Sequence, residues 1–173
     1  MPDWCKNDLR ITGPPEERGR FVKEARGTPR RYGPGKDPAD QPATDMLCFH
    51  KLHPVPEELL RRSYGALKEN ERDLRSVDGC RSGYDWEIRH WGCKWGASDF
   101  DCRMTAPPQG EKETEYRFLT PWTPPIAFLE HISITFPKLC FMLTYSESDW
   151  GFEGQFTVRN GGVELNRFQE LLQ

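Results

Sequence analysis

The stretch that most constrains the fold is a helix-type pattern at 123–136, followed directly by two strand-type patterns. Thr123 and Pro124 are typical of a helix start, and Pro137 is typical of a helix end. Between them the large apolar residues recur on one face: Phe128, Leu129, Ile132 and Phe136. That apolar stripe must be buried against another element, which the following residues predict to be a sheet.

The residues after this helix predict a β-hairpin. Its first strand has apolar residues at every second position: Leu139, Phe141, Leu143 and Tyr145. A turn at 146–149 leads to a return strand, in which Phe152, Phe156 and Val158 alternate with polar residues. Residues 163–173 are predicted to form either a last strand or a short helix.

The first part of the chain predicts a strand, a helix and a second strand. Alternation over 7–13 indicates the first strand, and a narrow apolar stripe of Phe21, Val22 and Ala25 indicates the helix. The loop at 28–45 is Pro-rich and almost free of apolar residues. Residues 46–53 then read as a second strand, and 57–62 as the start of another helix.

The middle of the chain predicts one short helix and two further strands. Residues 63–83 are charged and weakly patterned, which is typical of a surface helix or a partly folded insertion. The next helix is predicted to stop near Trp91 or Gly92, because glycine commonly ends helices. Strands are expected at 98–105 and 115–120, joined as a hairpin by a loop that contains Pro107 and Gly110.

This order of elements predicts an α+β fold. We expect a ferredoxin-like sandwich, with a mainly antiparallel sheet, helices on one face and an inserted helical segment. The 173 residues are predicted to form a single domain over 1–173, with a Pro-rich loop at 28–45 and an insertion at about 57–97.

Composition limits the partners and the compartment. A net charge of −3 gives no overall basic field for nucleic acid or anionic lipid. No apolar run approaches the roughly 18 residues needed to span a bilayer, and the first residues do not resemble a secretory signal. The six cysteines are scattered, so reduced thiols are expected. We therefore expect a cytoplasmic, soluble protein.

A Trp-rich segment at 84–101 is the main candidate for a binding site, because indole rings beside Arg and Lys are typical of interface hot spots. The predicted partner-binding residues are Trp86, Arg89, Trp91, Lys94, Trp95, Trp122 and Glu153. Helical spacing supports a competing interpretation, in which one face of this segment is core: Tyr84, Ile88, Trp91 and Trp95. Glu153 is predicted on the exposed side of its strand, and the neighbouring Gly154 indicates a bulge or a close approach of another backbone.

Reactive groups give weaker candidates. Cys48, His50 and His53 are zinc-type ligands, but on a strand His53 would point away from the other two. A fourth ligand would have to come from Cys80, Cys93 or Cys102, and no Cys-x-x-Cys pair is present. His90 and His131 could serve as acid or base, yet no known catalytic motif accompanies them. We therefore predict no catalytic residues, no metal site and no cofactor.

A series of short motifs resembles the YubB-like (Api92-like) ferredoxin-like domain family. In chain order they are Asn7–Gly13, Phe49 leading to Pro54–Leu59, Tyr84–Trp86, Trp91–Trp95, Trp122–Phe128, Phe136–Pro137 and Phe152–Gly154. The resemblance covers most of the chain outside the Pro-rich loop and the 63–83 segment. Two positions depart from it: Cys93 stands where the family has Thr, and Gly96 where an acidic residue is usual.

The resemblance implies a small cytosolic protein carried by phages, prophages or plasmids of bacteria, with no established enzymatic activity. We hypothesise a non-enzymatic accessory protein of such an element, which binds a bacterial host protein, with a defence component among the candidates. The alternative is a single-strand nucleic-acid-binding module that stacks bases on an open sheet face. An enzyme acting on a nucleotide signal is disfavoured, because no acid, base or phosphate loop is visible.

Overall fold

The computed structural model describes residues 3–28, 47–66, 68–71, 74–97 and 112–171. Within these residues five strands form one sheet: β1 Trp4–Thr12, β2 Glu113–Pro121, β3 Cys140–Glu147, β4 Phe152–Arg159 and β5 Gly162–Glu170. Their spatial order is β2-β1-β3-β4-β5, and every neighbouring pair is antiparallel. The first strand of the chain therefore lies inside the sheet, between β2 and β3.

In the described part of the chain, five α-helices accompany the sheet: α1 Pro15–Ala25, α2 Phe49–Leu52, α3 Glu57–Leu60, α4 Gly83–Trp91 and α5 Ile126–Thr135. A 3₁₀ turn occupies Glu69–Glu71. β2 and β3 both run antiparallel to β1, so the β2-α5-β3 unit is a split βαβ with β1 inserted between its two strands. The predicted α+β, ferredoxin-like class is confirmed.

Aromatic side chains place the helices on one face of the sheet. Phe21 of α1 makes edge contacts with Tyr116 of β2 and Phe141 of β3, at ring-centroid distances of 6.0 and 5.5 Å. Phe49 of α2 stacks on Phe128 of α5 at 3.7 Å. Burying such a side chain contributes roughly 1.5–3 kcal/mol. These rings join α1, α2 and α5 to the same core.

The opposite face of the sheet is polar. Arg10 pairs with Glu115 at 3.3 Å, and Arg117 pairs with Asp8 at 3.0 Å, both between β1 and β2. Exposed pairs of this kind contribute about 0–1 kcal/mol each. In the described strands the buried rings of Tyr116, Phe118, Phe141, Tyr145 and Phe156 all point to the helix side, as the alternating burial shows. That face therefore lacks the row of aromatic rings that base stacking would use.

The predicted strand at 46–53 is wrong. Met46 lies outside the described residues, and Phe49–Leu52 forms the single helical turn α2. The alternating pattern fits one turn of helix as well, and both sides of β1 are already occupied by β2 and β3. Phe49 is instead buried between helices, where it also contacts Trp91 edge-on at 5.5 Å.

Other boundaries differ from the predictions in smaller ways. Thr123 does not cap α5, which begins only at Ile126. A proline disfavours helical backbone in the residue before it, so the pair Pro124-Pro125 delays the start. Of the 63–83 segment, the described part holds the 3₁₀ turn, an isolated bridge and the first residue of α4. The predicted strand at 98–105 and most of the 28–45 loop lie outside the described residues.

Gly154 is required by a close contact across the sheet. A Cβ at this position would overlap the phenol group of Tyr145 on β3 and lie 2.5 Å from the carbonyl oxygen of Arg167 on β5. The predicted close approach is thus confirmed, while the register of the β4–β5 pair shifts at Thr157/Val158 and not at Gly154. Glu153 lies on the exposed face, as predicted.

Candidate partner-binding surface

The loop that carries the main candidate residues is defined by the two ends of α4. At its start Ser82 and Asp85 form a reciprocal capping box, with bonds of 3.2 and 3.1 Å. At its end Gly92 adopts left-handed backbone with φ 82°. The helix therefore stops abruptly after Trp91, and residues 93–97 leave it as a tight loop.

Lys94 lies between two indole rings at this loop. Its Nζ is 3.9 Å from the ring centroid of Trp95 and 3.7 Å from that of Trp122. Trp95 is 49% exposed and Trp122 is 37% exposed. Burial lowers the pKa of Lys94, but the attraction between an ammonium and an indole face favours the charged form. We call Trp95, Lys94 and Trp122 the indole sandwich.

Both indoles of the sandwich stand on strained backbone. Trp95 has φ 65° and Trp122 has φ 67°, a region that bulky residues rarely adopt. Such a conformation costs on the order of 1–3 kcal/mol and persists only where the surroundings hold it. The backbone N–H of Trp95 donates to Glu87 Oε2 at 2.8 Å, and that of Trp122 donates to the Asp3 carbonyl oxygen at 2.8 Å.

A third fixed indole, Trp150, extends the surface. It lies in the turn between β3 and β4 and is 71% exposed. Its Nε1 donates to Asp3 Oδ2 at 2.7 Å, and its backbone N–H donates to the buried carboxylate of Glu147. Asp3 also accepts the backbone N–H of Trp122, so Trp122 and Trp150 are both bonded to Asp3 at the same end of the sheet. The indole sandwich and Trp150 together form what we call the indole surface.

Glu87 is the buried carboxylate that positions this surface. It lies in α4, is fully buried, and accepts hydrogen bonds from Tyr64 Oη at 2.6 Å and from the Trp95 N–H. His50 Nε2 lies 3.8 Å from its other oxygen. Burial beside this carboxylate raises the pKa of Tyr64 far above its usual value, so the phenol remains a donor.

Four of the seven predicted binding residues do not join the indole surface. Trp86 and Trp91 are buried in the core and cannot contact a partner in this fold. Arg89 donates to the Asp78 carbonyl oxygen at 3.2 Å, and Glu153 lies on the polar sheet face. Lys94, Trp95 and Trp122 come together. Trp150 was missed, although its place in a short turn after Glu147 could have indicated a fixed, exposed ring.

The predicted inward face of the Trp-rich segment is also only partly correct. Trp91 is buried, but Ile88 and Trp95 are exposed. Gly92 ends the helix, so the i, i+4, i+7 spacing does not extend to Trp95. The buried side of α4 contains Trp86 and Glu87 instead.

Three histidines form a second cluster beside Trp86. His53 stacks on His131 at a ring-centroid distance of 3.4 Å, His90 lies 5.7 Å from His53, and Trp86 stacks on His90 at 4.5 Å. Burial and the two neighbouring histidines lower the pKa of His53 to about 3. Among the described residues no group of three or more His, Cys, Asp or Glu side chains could hold a metal ion.

This cluster predicts acid sensitivity. In the unfolded chain His53 gains a proton near pH 6.5, whereas in the folded protein it stays neutral down to about pH 3. Between these pH values the unfolded state binds more protons than the folded state. The stability that the buried, neutral His53 contributes is therefore fully present above pH 6.5 and is lost as pH falls towards 3. Urea unfolding from pH 7 to 4 should show a shallower loss of stability for His53→Phe than for wild type. If the free energy of unfolding falls equally steeply with pH in both proteins, the burial of neutral His53 is contradicted.

Fold and surface together define the class of protein: a ferredoxin-like α+β sandwich with a fixed patch of exposed indoles at one end of its sheet. Within the described residues no helix has both the length and the apolar character needed to cross a membrane. Residues 90–170 match the family described as "Ferredoxin-like domain in Api92-like protein". This segment is thus similar to the Api92-like ferredoxin-like domain, and the family resemblance predicted from the motifs is confirmed.

A solved structure supports the fold beyond the matched segment. The crystal structure of protein Api92 from Yersinia pseudotuberculosis superposes with a TM-score of 0.57, over 100% of this chain and 99% of that chain. The sequence identity is 12%, so this likeness concerns the fold alone. No curated protein matches the sequence.

Proposed function

We propose that this chain is a non-enzymatic binding protein that docks a protein partner through the indole surface. The observation that carries the proposal is the indole sandwich, in which two exposed tryptophans on left-handed backbone hold a lysine between them. We further propose that the partner is a bacterial host protein and that the chain is an accessory protein of a phage or plasmid, in line with the family resemblance.

The energetics of the surface support a binding role. Left-handed backbone at Trp95 and Trp122 costs on the order of 1–3 kcal/mol each, while 49% of Trp95 and 37% of Trp122 stays exposed. A binding role gives a reason for keeping these two large rings exposed on a costly backbone. Rings that are already fixed lose little conformational entropy on association, which is how a preorganised surface gains affinity. Tryptophan is also among the residues that most often dominate binding energy.

The test is affinity capture from a bacterial lysate, followed by mass spectrometry. The double variant Trp95→Ala/Trp122→Ala should lose a protein that wild type retains, because hot-spot truncations cost about 2 kcal/mol or more, roughly 30-fold in affinity. Trp86→Ala is unsuitable, because that ring is buried and its loss would destabilise the fold.

The matched control is Ile134→Ala. Ile134 is 62% exposed and lies in the last turn of α5, against the Gly161 turn at the far end of the sheet. This control should capture the same protein as wild type. If wild type, control and double variant retain one identical set of proteins, the indole surface is not the docking site and the proposal fails.

A further inference from the structure

The indole surface presents donors and positive charge. The Lys94 ammonium is held between two ring faces, and it makes no ion pair within the described residues. The indole N–H groups of Trp95 and Trp122 likewise have no acceptor within the part of the chain that the structure describes. By contrast, the indole N–H of Trp91 donates to the His53 carbonyl oxygen, and that of Trp150 donates to Asp3.

The missing group is an acceptor with negative charge. An ammonium has three N–H donors, and ring faces attract it without giving it an oxygen acceptor. A carboxylate that approaches Lys94 would form a charge-assisted hydrogen bond, while the two flanking rings exclude water and cover the apolar part of the same side chain. The position of Lys94 also repels cations, because the slot between the two rings is already filled by a positive charge.

On the proposed function, we infer that the indole surface recognises an acidic peptide segment of the partner, with an Asp or Glu carboxylate on Lys94 and a neighbouring apolar side chain against Trp122 and Trp95. Nucleic acid fits less well. A single lysine gives one phosphate contact, and Arg10 and Arg117 lie on another face, where they pair with carboxylates.

The test is selection of a random-sequence peptide display library on immobilised wild-type protein. Enriched peptides should contain Asp or Glu beside an aromatic or aliphatic residue. An enriched peptide should bind at least tenfold more weakly when its acidic residue is changed to the amide, and at least tenfold more weakly to Lys94→Met than to wild type. Lys51→Met, which removes an exposed lysine of α2, is the matched control and should bind like wild type.

The other results overturn the inference. If peptides depend on Trp95 and Trp122 but bind equally in their acid and amide forms, recognition of a carboxylate by Lys94 is overturned. The proposed docking site is then still supported. Enrichment of basic peptides, or of none that depends on the indoles, would overturn both. A mixed-sequence single-stranded oligonucleotide whose binding is lost in Lys94→Met would replace the acidic peptide with nucleic acid as the ligand.

Discussion

Trp91→Ala is expected to destabilise the protein by about 3–5 kcal/mol, the usual cost of truncating a large buried aromatic residue. Trp91 is fully buried, and its ring makes edge contacts with Phe49 at 5.5 Å and His50 at 4.8 Å. Its Nε1 also donates to the His53 carbonyl oxygen at 3.0 Å, which the variant leaves without this partner. Urea unfolding followed by far-UV circular dichroism should show a lower midpoint and an unchanged slope.

Trp150→Ala is the matched control for this experiment, because it removes the same ring from the protein surface. Its expected cost is below about 1 kcal/mol, since the ring is mostly exposed and makes one side-chain hydrogen bond. A similar loss in both variants would show that α4 does not pack on the core through Trp91.

Glu87→Leu is expected to cost about 3 kcal/mol and to weaken partner binding as well. The substitution removes the carboxylate that accepts two part-buried hydrogen bonds, from the Tyr64 hydroxyl and the Trp95 N–H, at about 1–3 kcal/mol each. The Trp95 N–H bond is also the contact that holds the left-handed backbone of the indole sandwich. Loss of stability and loss of captured partner should therefore occur together, measured by urea unfolding and by affinity capture.

Two further variants separate the loss of the buried acceptor at Glu87 from the loss of a carboxylate elsewhere. Glu87→Gln keeps an acceptor oxygen and should retain more stability than Glu87→Leu. Glu58→Gln changes an exposed carboxylate of α3 and should stay within about 0.5 kcal/mol of wild type. If Glu87→Leu unfolds like wild type yet still captures the partner at full strength, the buried carboxylate does not position the indole surface.

The sequence predicted those elements whose pattern and end signals agree. The strand at β1, the helices α1 and α4, and the hairpin β3-β4 are confirmed because their apolar period and their flanking Gly or Pro residues indicate the same element. Residues 49–52 were predicted wrongly, because the pattern of four residues cannot distinguish one helical turn from a strand. The choice depends on which positions beside β1 are free, and strands distant in sequence fill them.

The candidate surface could be predicted only in part. Lys94, Trp95 and Trp122 were expected to contact a partner on composition alone, and the structure brings these three together. Trp86 was misplaced because the buried side of α4 contains a charged residue, Glu87, which no pattern of apolar residues reveals. The contribution of Trp150 depends on Asp3, 147 residues away in the chain, so local sequence could not show it.

The central place of β1 has a consequence for synthesis of the protein. Trp4 pairs with Pro121, and Lys6 pairs with Ser146, so β1 is synthesised well before either of the two strands that pair with it. At 5–20 residues per second, the roughly hundred residues between β1 and β2 take on the order of 5–20 s to translate. During that interval Leu9 and Ile11 remain unburied by the sheet, so nascent chains should depend on chaperones that shield exposed strands.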